Sequence, residues 1–446
     1  MNLLDDFSTR AKKYLSEKDY QPVYPDASSI EALQYLNSPL QEEPIDASEI
    51  LSLLDDYGSP ATVQSSGGRY FGFVIGSTLP AAMSAKLLAT VWDQNAALSI
   101  MSPVASLLEE ISSNWLVSLL GLPVNTVTSF VTGATMANFT SLAAARHALL
   151  KKQGWDVESK GLFYAPEITV IAGDELHVSL LKALSMLGFG RDRIIRVPVD
   201  EQGRIIAEKI PAINGPTIVC AQSGNVNSGA FDPLEEIYDR VKNENTWIHV
   251  DGAFGLWAAA SPEKKYLIKG IELADSCATD AHKWLNTPYD CGLAFVKDKQ
   301  SLFEAMSATA SYLPEISMRE PFQYVPEMSR QARGIAVWAA LKSLGKKGLA
   351  DLIEKNCRQA KRFAEGLQNA GFSILNDVVL NQVLVSFGDA TATINTIKKI
   401  QEDGTCWCGG TVWQGKTAMR ISVSSWATTD DDVEKSLKAM IRLAKQ

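Results

Sequence analysis

One lysine in the middle of the chain stands in a sequence that favours a reactive amine. Lys283 lies in the run DAHKW (280–284), with apolar residues on either side of the His-Lys pair. Burial among apolar groups penalises an ammonium ion, which lowers the pKa of the amine and frees it as a nucleophile. The alternative is an ordinary lysine at a sheet edge, whose stem packs on apolar surface while its amine reaches water.

A carboxylate follows an apolar run earlier in the chain. Asp251 comes directly after TWIHV (246–250), a stretch typical of a buried strand. A carboxylate at that point needs a cationic partner or several hydrogen-bond donors. Either it meets a positive atom of a ligand, or backbone groups and an arginine of the chain satisfy it.

A third feature is a turn of small residues between a predicted strand and a predicted helix. The run TGATMAN (132–138) follows VTSFV and precedes FTSLAAARHALL. Gly133 permits a tight turn, Thr135 adds a hydroxyl, and the free N–H groups at a helix start attract a phosphate. The same pattern also fits an ordinary capped helix start.

Together these three features match the protein side of pyridoxal phosphate chemistry. They supply a phosphate cradle, an anion for a ring cation and an amine for an aldehyde, in that order along the chain. The anion keeps the ring nitrogen protonated, and the cationic ring withdraws electrons from the substrate Cα. His177, in DELH (174–177) after ITVIA, offers a flat ring for stacking on the cofactor. A histidine at this place also fits the surface or the core.

Short apolar runs that alternate with helical stretches must position these residues. Such alternation predicts a mostly parallel sheet covered by helices on both faces, an α/β fold whose ligands lie beyond the carboxyl ends of the strands. We predict an N-terminal helical arm over 1–70, a large cofactor-binding domain over 71–325 and a small α+β C-terminal domain over 326–446. The strands predicted for the large domain are VTSFV (127–131), ITVIA (168–172), IIRVPV (194–199), TIVCA (217–221), TWIHV (246–250) and GLAFV (292–296).

Composition argues against several classes of protein. The 446 residues carry a net charge of −9, and this acidic balance argues against a general nucleic-acid binder. No run of about 18 apolar residues predicts a membrane span, and no apolar leader follows the first residues. The six cysteines are dispersed and the chain has four histidines. We therefore expect no metal site and a reducing, cytoplasmic location.

With these motifs the sequence resembles the group II pyridoxal-phosphate-dependent amino acid decarboxylases, the family of aromatic amino acid, glutamate and histidine decarboxylases. The resemblance spans about 68–435, and HVDGA (249–253) together with DAHKW is its most specific part. It implies fold type I, a homodimer with the active site near the subunit interface, and pyridoxal 5′-phosphate as cofactor. The other matching segments are RYFGFV (69–74), SPVASLLEE (102–110), TGATMAN, DELH, GNVNSGAFDP (224–233), SRQARGIAVW (329–338) and MRISVSSWATTDDDV (419–433).

The resemblance also implies a role for each matching residue. Lys283 forms the Schiff base, Asp251 pairs with the ring nitrogen, and His177 and Ala253 lie against opposite faces of the ring. Arg420 matches an arginine that meets the substrate carboxylate in glutamate decarboxylases, with a surface salt bridge as the alternative. The remaining matches are Gly133, Ala134, Thr135, Asp280 and His282 at the phosphate, and Phe73 and Val74 in the substrate pocket, which fit plain core packing equally well.

Two departures from the family pattern concern the cofactor. Asp280 stands where the family often has Asn, and a carboxylate there repels the phosphate unless it bonds His282 or a backbone N–H. Val226 stands where a threonine commonly contacts the ring oxygen, a hydrogen bond that Asn225 or Asn227 can supply instead.

A third departure concerns the loop 311–328, which is shortened where these decarboxylases carry a tyrosine that protonates the carbanion. Tyr312 and Tyr324 are its tyrosines, and Tyr324 is our candidate for a catalytic role.

Related enzymes with altered loops make aldehydes, so three hypotheses for the function stay open. The first is a decarboxylase that converts an L-amino acid, with an aromatic preference lent by the family, to the amine through an external aldimine and a quinonoid. The second is an aldehyde synthase, a carbon–carbon lyase or an aminotransferase on the same frame, and the third is a non-catalytic cofactor-binding protein.

Overall fold

The computed structural model describes residues 2–242, 245–308 and 319–446. Helices and strands alternate through the middle of the chain, as the apolar runs predict. Short 3₁₀ helices span Leu33–Leu36, Ser59–Ala61, Arg191–Arg193, Ala207–Lys209, Gly255–Ala260, Lys265–Ile268, Ile271–Leu273 and Pro321–Tyr324, and one π-helical turn spans Leu54–Gly58. The other elements are α1 (Leu3–Glu17), α2 (Ala27–Ala32), α3 (Ala47–Leu53), α4 (Pro80–Trp92), α5 (Pro103–Leu119), β1 (Val127–Val131), α6 (Ala134–Lys152), α7 (Val157–Lys160), β2 (Thr169–Gly173), α8 (Val178–Met186), β3 (Ile195–Val197), β4 (Thr217–Gln222), α9 (Leu234–Val241), β5 (Thr246–Asp251), β6 (Ser276–Asp280), β7 (Gly292–Val296), α10 (Lys299–Met306), α11 (Arg333–Asn369), β8 (Ser373–Ile374), β9 (Gln382–Ser386), α12 (Ala390–Asp403), β10 (Gly409–Trp413), β11 (Lys416–Ser422) and α13 (Asp430–Ala444).

A seven-stranded sheet forms the centre of the large lobe. Its strand order is β1-β7-β6-β5-β4-β2-β3, and β7 alone runs antiparallel to its neighbours β1 and β6. Every residue of β1, β4 and β7 is buried, as expected for strands covered on both faces. The predicted α/β fold with a mostly parallel sheet is confirmed, and the carboxyl ends of β1, β2, β4, β5 and β6 meet at one edge.

Helix α6 is the element of the large lobe that matters most for the site. It contacts β5, β6 and β7 as well as α8 and α10. Most of its side chains are buried, and small residues such as Ala143, Ala144 and Ala145 allow it to pack closely on the sheet. Its first turn begins directly beyond the carboxyl end of β1.

A second, four-stranded antiparallel sheet belongs to the C-terminal part of the chain. Its order is β10-β11-β9-β8, and α11, α12 and α13 pack against it around a core that includes Phe363 and Leu437. Helix α11 contains a sharp break at Gly345, whose φ of 62° lies in the left-handed region. Helix α11 contacts α4 and α5 as well as β9 and α13.

The N-terminal helices cover little core of their own. No residue of α1, α2 or α3 is buried, and Arg10 ties α1 to the segment after α3 through Asp55 at 3.0 Å. The limits of the arm and of the two domains stay predictions. Among the described residues, no helix has both the length and the apolar character that a membrane crossing requires.

Candidate active site

The predicted site residues come together at the edge where the parallel strands end. Asp251 is the last residue of β5 and Asp280 is the last residue of β6. Gly133 and His177 immediately precede α6 and α8 and cap their starts. Lys283 follows β6 by three residues, so its amine rises from the same edge.

The amine of Lys283 forms an ion pair with a buried carboxylate. Its Nζ lies 2.9 Å from Asp280 Oδ2. The other oxygen, Asp280 Oδ1, accepts a hydrogen bond of 2.6 Å from the backbone N–H of Ala134 in the first turn of α6. The carboxylate thus accepts a hydrogen bond from one of the free N–H groups at the helix start and serves as the counter-ion of the lysine. These two contacts explain how an aspartate is tolerated beside the position where the sequence predicts a phosphate.

His282 lies beside the same carboxylate in its neutral form. Its Nδ1 accepts the backbone N–H of Cys291 at 3.1 Å, so the ring proton resides on Nε2, which is 3.5 Å from Asp280 Oδ1. Burial lowers the pKa of His282 from its ordinary value, and Asp280 partly opposes that shift. The ring of Tyr289 packs on the imidazole with a centroid separation of 4.4 Å.

Asp251 is a buried carboxylate with a hydrogen bond to each oxygen. Ala253 N–H donates to Oδ1 at 3.2 Å, and Asn138 Nδ2 donates to Oδ2 at 3.0 Å. The residue is only 4% exposed. Within the described ranges, no lysine, arginine or histidine forms an ion pair with it, which leaves a buried negative charge for a cationic ligand to compensate.

His177 begins helix α8 and lies within reach of the charges of the site. Its Nδ1 accepts the backbone N–H of Ser179 at 3.2 Å, which leaves the ring proton on Nε2. Burial lowers the pKa of His177, Asp251 raises it, and Lys283 and Arg420 lower it. The imidazole is therefore neutral near pH 7 and presents an uncharged flat surface.

The two asparagines predicted near the ring oxygen have different surroundings. Asn225 Oδ1 accepts the backbone N–H groups of Asn227 and Ser228 at 2.8 and 3.2 Å, a turn that leaves its Nδ2 buried and without a partner among the described residues. Asn227 Oδ1 instead accepts from Thr411 at 3.0 Å and from Arg420 Nη1 at 3.4 Å. Asn227 therefore connects the two lobes, and Asn225 retains a free donor.

An aromatic group borders the segment that passes beside Lys283. Phe73 stacks on Trp407 with a centroid separation of 5.4 Å, and Tyr70 stacks on Trp407 at 5.1 Å. Phe73 is 60% exposed, whereas Val74 is buried in the core. A Cβ on Gly76 would lie 1.7 Å from the Lys283 carbonyl oxygen, so this segment needs glycine there to approach the lysine so closely.

The structure does not bring Tyr324 to this cluster. Its ring packs against Phe303 and under the Arg319 guanidinium, 4.3 Å from the ring centroid. It belongs to the core that contains Val127, the first residue of β1, whereas the site lies beyond the last residue of that strand. Tyr312 falls within 309–318, outside the described residues.

Three residues near the site were not assigned a role by the sequence prediction. Asn138 contacts Asp251 and Tyr289 packs on His282, while for Trp407 the sequence leaves a pocket for an aromatic side chain and plain core packing as alternatives. The signal for Asn138 is an amide in the first turns of a helix predicted to pack on the sheet, which is unfavourable unless the amide has a buried partner. No comparable signal marks Tyr289, because its contact depends on how the chain turns after Lys283.

Comparison with known proteins identifies the family and the fold. Residues 34–388 match the conserved domain of pyridoxal-dependent decarboxylases. An aromatic-L-amino-acid decarboxylase of Bacillus atrophaeus is 28% identical over 427 residues, 90% of this chain and 87% of the relative. A phenylacetaldehyde synthase of Petunia hybrida is 27% identical over 82% of this chain and 74% of that protein. The crystal structure of Oryza sativa TDC with PLP and tryptamine shares the fold, with a TM-score of 0.90 at 21% identity over 100% of this chain and 99% of that one.

Proposed function

Because this chain belongs to the pyridoxal-dependent decarboxylase family, we propose that it removes the α-carboxylate of an aromatic L-amino acid, with Lys283 as the attachment point of the cofactor. The enzyme is an amino acid carboxy-lyase that uses pyridoxal 5′-phosphate. The single observation that carries our assignment of residues is that the amine of Lys283 and the buried Asp251 carboxylate, which has no cationic partner among the described residues, lie at the same edge of the sheet.

The residues at the site fit this cofactor. When bound, pyridoxal phosphate supplies an aldehyde and a cationic ring that draws electrons from the substrate Cα. Asp251 lacks a cationic partner in the described chain and would hold the ring nitrogen. The N-terminus of α6 with Thr135 would hold the phosphate, and the neutral His177 and the small Ala253 would border the ring.

Lys283 must be an unprotonated amine to attack an aldehyde. In this structure Asp280 Oδ2 lies 2.9 Å from the Lys283 amine and favours its ammonium form. The neighbouring His282 is a poor acceptor for the amine proton, because burial lowers the pKa of its imidazole. We infer that Asp280 positions the Lys283 amine, while its hydrogen bond from the backbone N–H of Ala134 keeps the carboxylate in place.

Arg420 supplies the positive charge that a substrate carboxylate needs. It lies on β11, and burial lowers the pKa of its guanidinium from the usual range. Its hydrogen bond to Asn227 is with a neutral amide, and no carboxylate of the described ranges pairs with it. A buried cation of this kind favours an anionic ligand, and a planar guanidinium suits a carboxylate.

The aromatic preference rests on Tyr70, Phe73 and Trp407. These rings form a continuous stack next to the segment that contacts the Lys283 turn. A partly exposed ring at the end of such a stack offers a surface on which an aromatic side chain can pack. An acidic side chain would gain little from the same surface.

Product analysis tests this function. Cofactor-loaded protein incubated separately with tryptophan, tyrosine, phenylalanine, glutamate and 2,4-diaminobutyrate should release carbon dioxide and the matching amine in equal amounts, fastest with an aromatic substrate. Mass spectrometry identifies the amine, and a coupled assay measures carbon dioxide. Aldehyde with ammonia would instead support the aldehyde-synthase alternative, and faster turnover of glutamate would contradict the aromatic assignment.

A matched variant separates the aromatic surface from the rest of the site. Phe73→Ala should raise KM for the preferred aromatic substrate roughly 3- to 10-fold, because one aromatic contact is lost. The unfolding temperature should barely change, since Phe73 is largely exposed. An equal loss of kcat/KM with all five amino acids would show that Phe73 does not select the side chain.

We also propose that the protein is a homodimer. Large apolar side chains lie exposed along α1, along α4 and in the turn between α4 and α5, including Val91 at 70% and Ile100 at 73% exposure. Contiguous apolar surface of this kind favours a partner, and the helical arm buries little of its own. The cytoplasmic location stays a prediction from the sequence.

Sedimentation velocity tests the dimer. The protein should sediment with twice the chain mass of 48.6 kDa. Leu88→Glu with Val91→Glu places two charges on the exposed face of α4 and should weaken association roughly 10²-fold, because burying a carboxylate in an apolar contact is costly. Phe163→Glu, an exposed apolar residue after α7, is the matched control and should stay dimeric. A monomeric wild-type protein would contradict the proposal.

A further inference from the structure

A buried polar chain runs from Asp251 into the interior of the large lobe. Asn138 Oδ1 and His249 Nε2 are 2.9 Å apart, and His249 Nδ1 and Ser276 Oγ are also 2.9 Å apart. Trp247 Nε1 then donates to Ser276 Oγ at 2.8 Å. All five side chains lie below the surface, and Asn138 and His249 are fully buried.

Strand geometry places these groups together. Alternate residues of a strand share one face of the sheet, so Trp247, His249 and Asp251 of β5 point to the same side. His249 is directly opposite Ser276 in the parallel pairing of β5 with β6. Helix α6 covers this face and adds Asn138 between His249 and Asp251.

The direction of every hydrogen bond follows from the two ends of the chain. The indole of Trp247 can only donate, so Ser276 Oγ accepts from it and has its own proton free for His249 Nδ1. At the other end, the carboxylate of Asp251 can only accept, so Asn138 turns its Nδ2 toward Asp251 and its Oδ1 toward His249. His249 must therefore carry its single proton on Nε2.

The donors and acceptors of these side chains also exclude the other neutral tautomer of His249. A proton on His249 Nδ1 would make Nε2 an acceptor, and Asn138 would have to present its amide nitrogen to it. Asn138 Oδ1 would then face Asp251 Oδ2 with no proton between them, at 3.0 Å. Burial lowers the pKa of His249 to about 3, which agrees with a neutral ring.

We propose that Asn138, His249 and Ser276 form a buried positioning relay that orients the Asp251 carboxylate and keeps it anionic, with every proton of the relay directed toward Asp251. This inference rests on the proposed function, in which Asp251 pairs with the ring nitrogen of the cofactor. Asn138 is a positioning residue, since it acts through Asp251. Its hydrogen bond supports the charge of the carboxylate in a place where water cannot.

The tautomer of His249 can be measured without cofactor or substrate. Long-range proton–nitrogen spectra of the imidazole groups of the cofactor-free protein, with His249→Gln for assignment among the four histidines, should show a neutral ring with its proton on Nε2 from pH 5 to pH 9. A charged ring at pH 7, or a proton on Nδ1, overturns the relay.

The effect on the cofactor can be measured with nitrogen-15-labelled pyridoxal phosphate. Asn138→Ala should shift the ring nitrogen signal toward that of a neutral pyridine and lower kcat roughly 10- to 100-fold, as expected for one lost hydrogen bond to a charged group. Borohydride should still trap the cofactor on Lys283. Thr140→Val is the matched control, because Thr140 is fully buried on the same helix and its hydroxyl has no hydrogen-bond partner among the described residues; it should behave like wild type.

Two comparisons make the outcome decisive. If Asn138→Ala fails to fold, Ser276→Ala removes the donor to His249 Nδ1 and should lower kcat roughly 3- to 10-fold, while the ring proton stays on Nε2, where Asn138 Oδ1 still accepts it. If Asp251→Asn changes the ring signal and the turnover but the folded relay variants change neither, the relay is wrong and the proposed function stands. If Asp251→Asn itself changes neither, Asp251 does not pair with the ring nitrogen, and that residue assignment of the proposed function fails.

Discussion

Lys283→Ala is expected to abolish covalent capture of the cofactor while leaving the protein folded. The amine of Lys283 is the nucleophile that we place at the cofactor aldehyde, and alanine offers none. Borohydride treatment of the loaded variant should give no adduct on peptide 280–292 by mass spectrometry, and the visible absorbance of a Schiff base should be absent. Turnover should fall at least ~10³-fold, because a positioned intramolecular nucleophile is lost.

The fold should survive this change because little packing depends on the lysine. Among the described residues the amine of Lys283 pairs with Asp280, and Asp280 keeps its hydrogen bond from Ala134 in the variant. The unfolding temperature of the cofactor-free protein should fall by only several degrees, because Asp280 loses its counter-ion but no core packing is removed. Lys264→Met is the matched control, since Lys264 is a buried lysine whose amine donates to the Val379 carbonyl at 3.0 Å; it should still trap the cofactor. A borohydride adduct on any other lysine of Lys283→Ala, with normal turnover, would refute the assignment.

The convergence of the site was predictable because it needs only the direction of the strands. Once β1, β5 and β6 run parallel, the residues after them must share one edge. TGATMAN, Asp251 and Lys283 each follow an apolar run, so their proximity follows from the alternation of strands and helices. The same reasoning predicts the α/β fold, which the sheet confirms.

Other features depend on register and on contacts distant in sequence. The pair Asn138 and His249 joins residues 111 apart, and the opposition of His249 and Ser276 depends on how β5 and β6 align. The apolar pattern of GLAFV predicts the strand β7 but is the same in both directions, so it cannot show that β7 is antiparallel. Tyr324 was chosen by its place in a loop, and only the tertiary structure shows its ring against Phe303.

Asp251→Asn is expected to reduce turnover without removing covalent capture. Asparagine keeps the shape of the side chain but not its charge, so a cationic ring nitrogen loses its buried counter-ion. Breaking one partner of a buried charge pair costs about 3–5 kcal/mol, which corresponds to roughly 10²- to 10⁴-fold in kcat. Affinity for pyridoxal phosphate should fall as well, whereas borohydride should still trap the cofactor on Lys283, because the amine does not depend on Asp251.

A second buried carboxylate separates loss of charge at the site from loss of a buried acid in general. Asp232 accepts two hydrogen bonds, both from backbone N–H groups, of Ile205 at 2.7 Å and Gln222 at 2.6 Å, and burial raises its pKa to about 7. Asp232→Asn leaves one of these N–H groups without an acceptor and should lower the free energy of unfolding by about 1–3 kcal/mol, with kcat nearly unchanged. Opposite effects of the two variants on stability and turnover would show that the Asp251 charge acts on the reaction. Wild-type turnover in Asp251→Asn would mean that the ring nitrogen does not depend on this carboxylate, and the electron-withdrawing role assigned to the ring would then need another counter-ion.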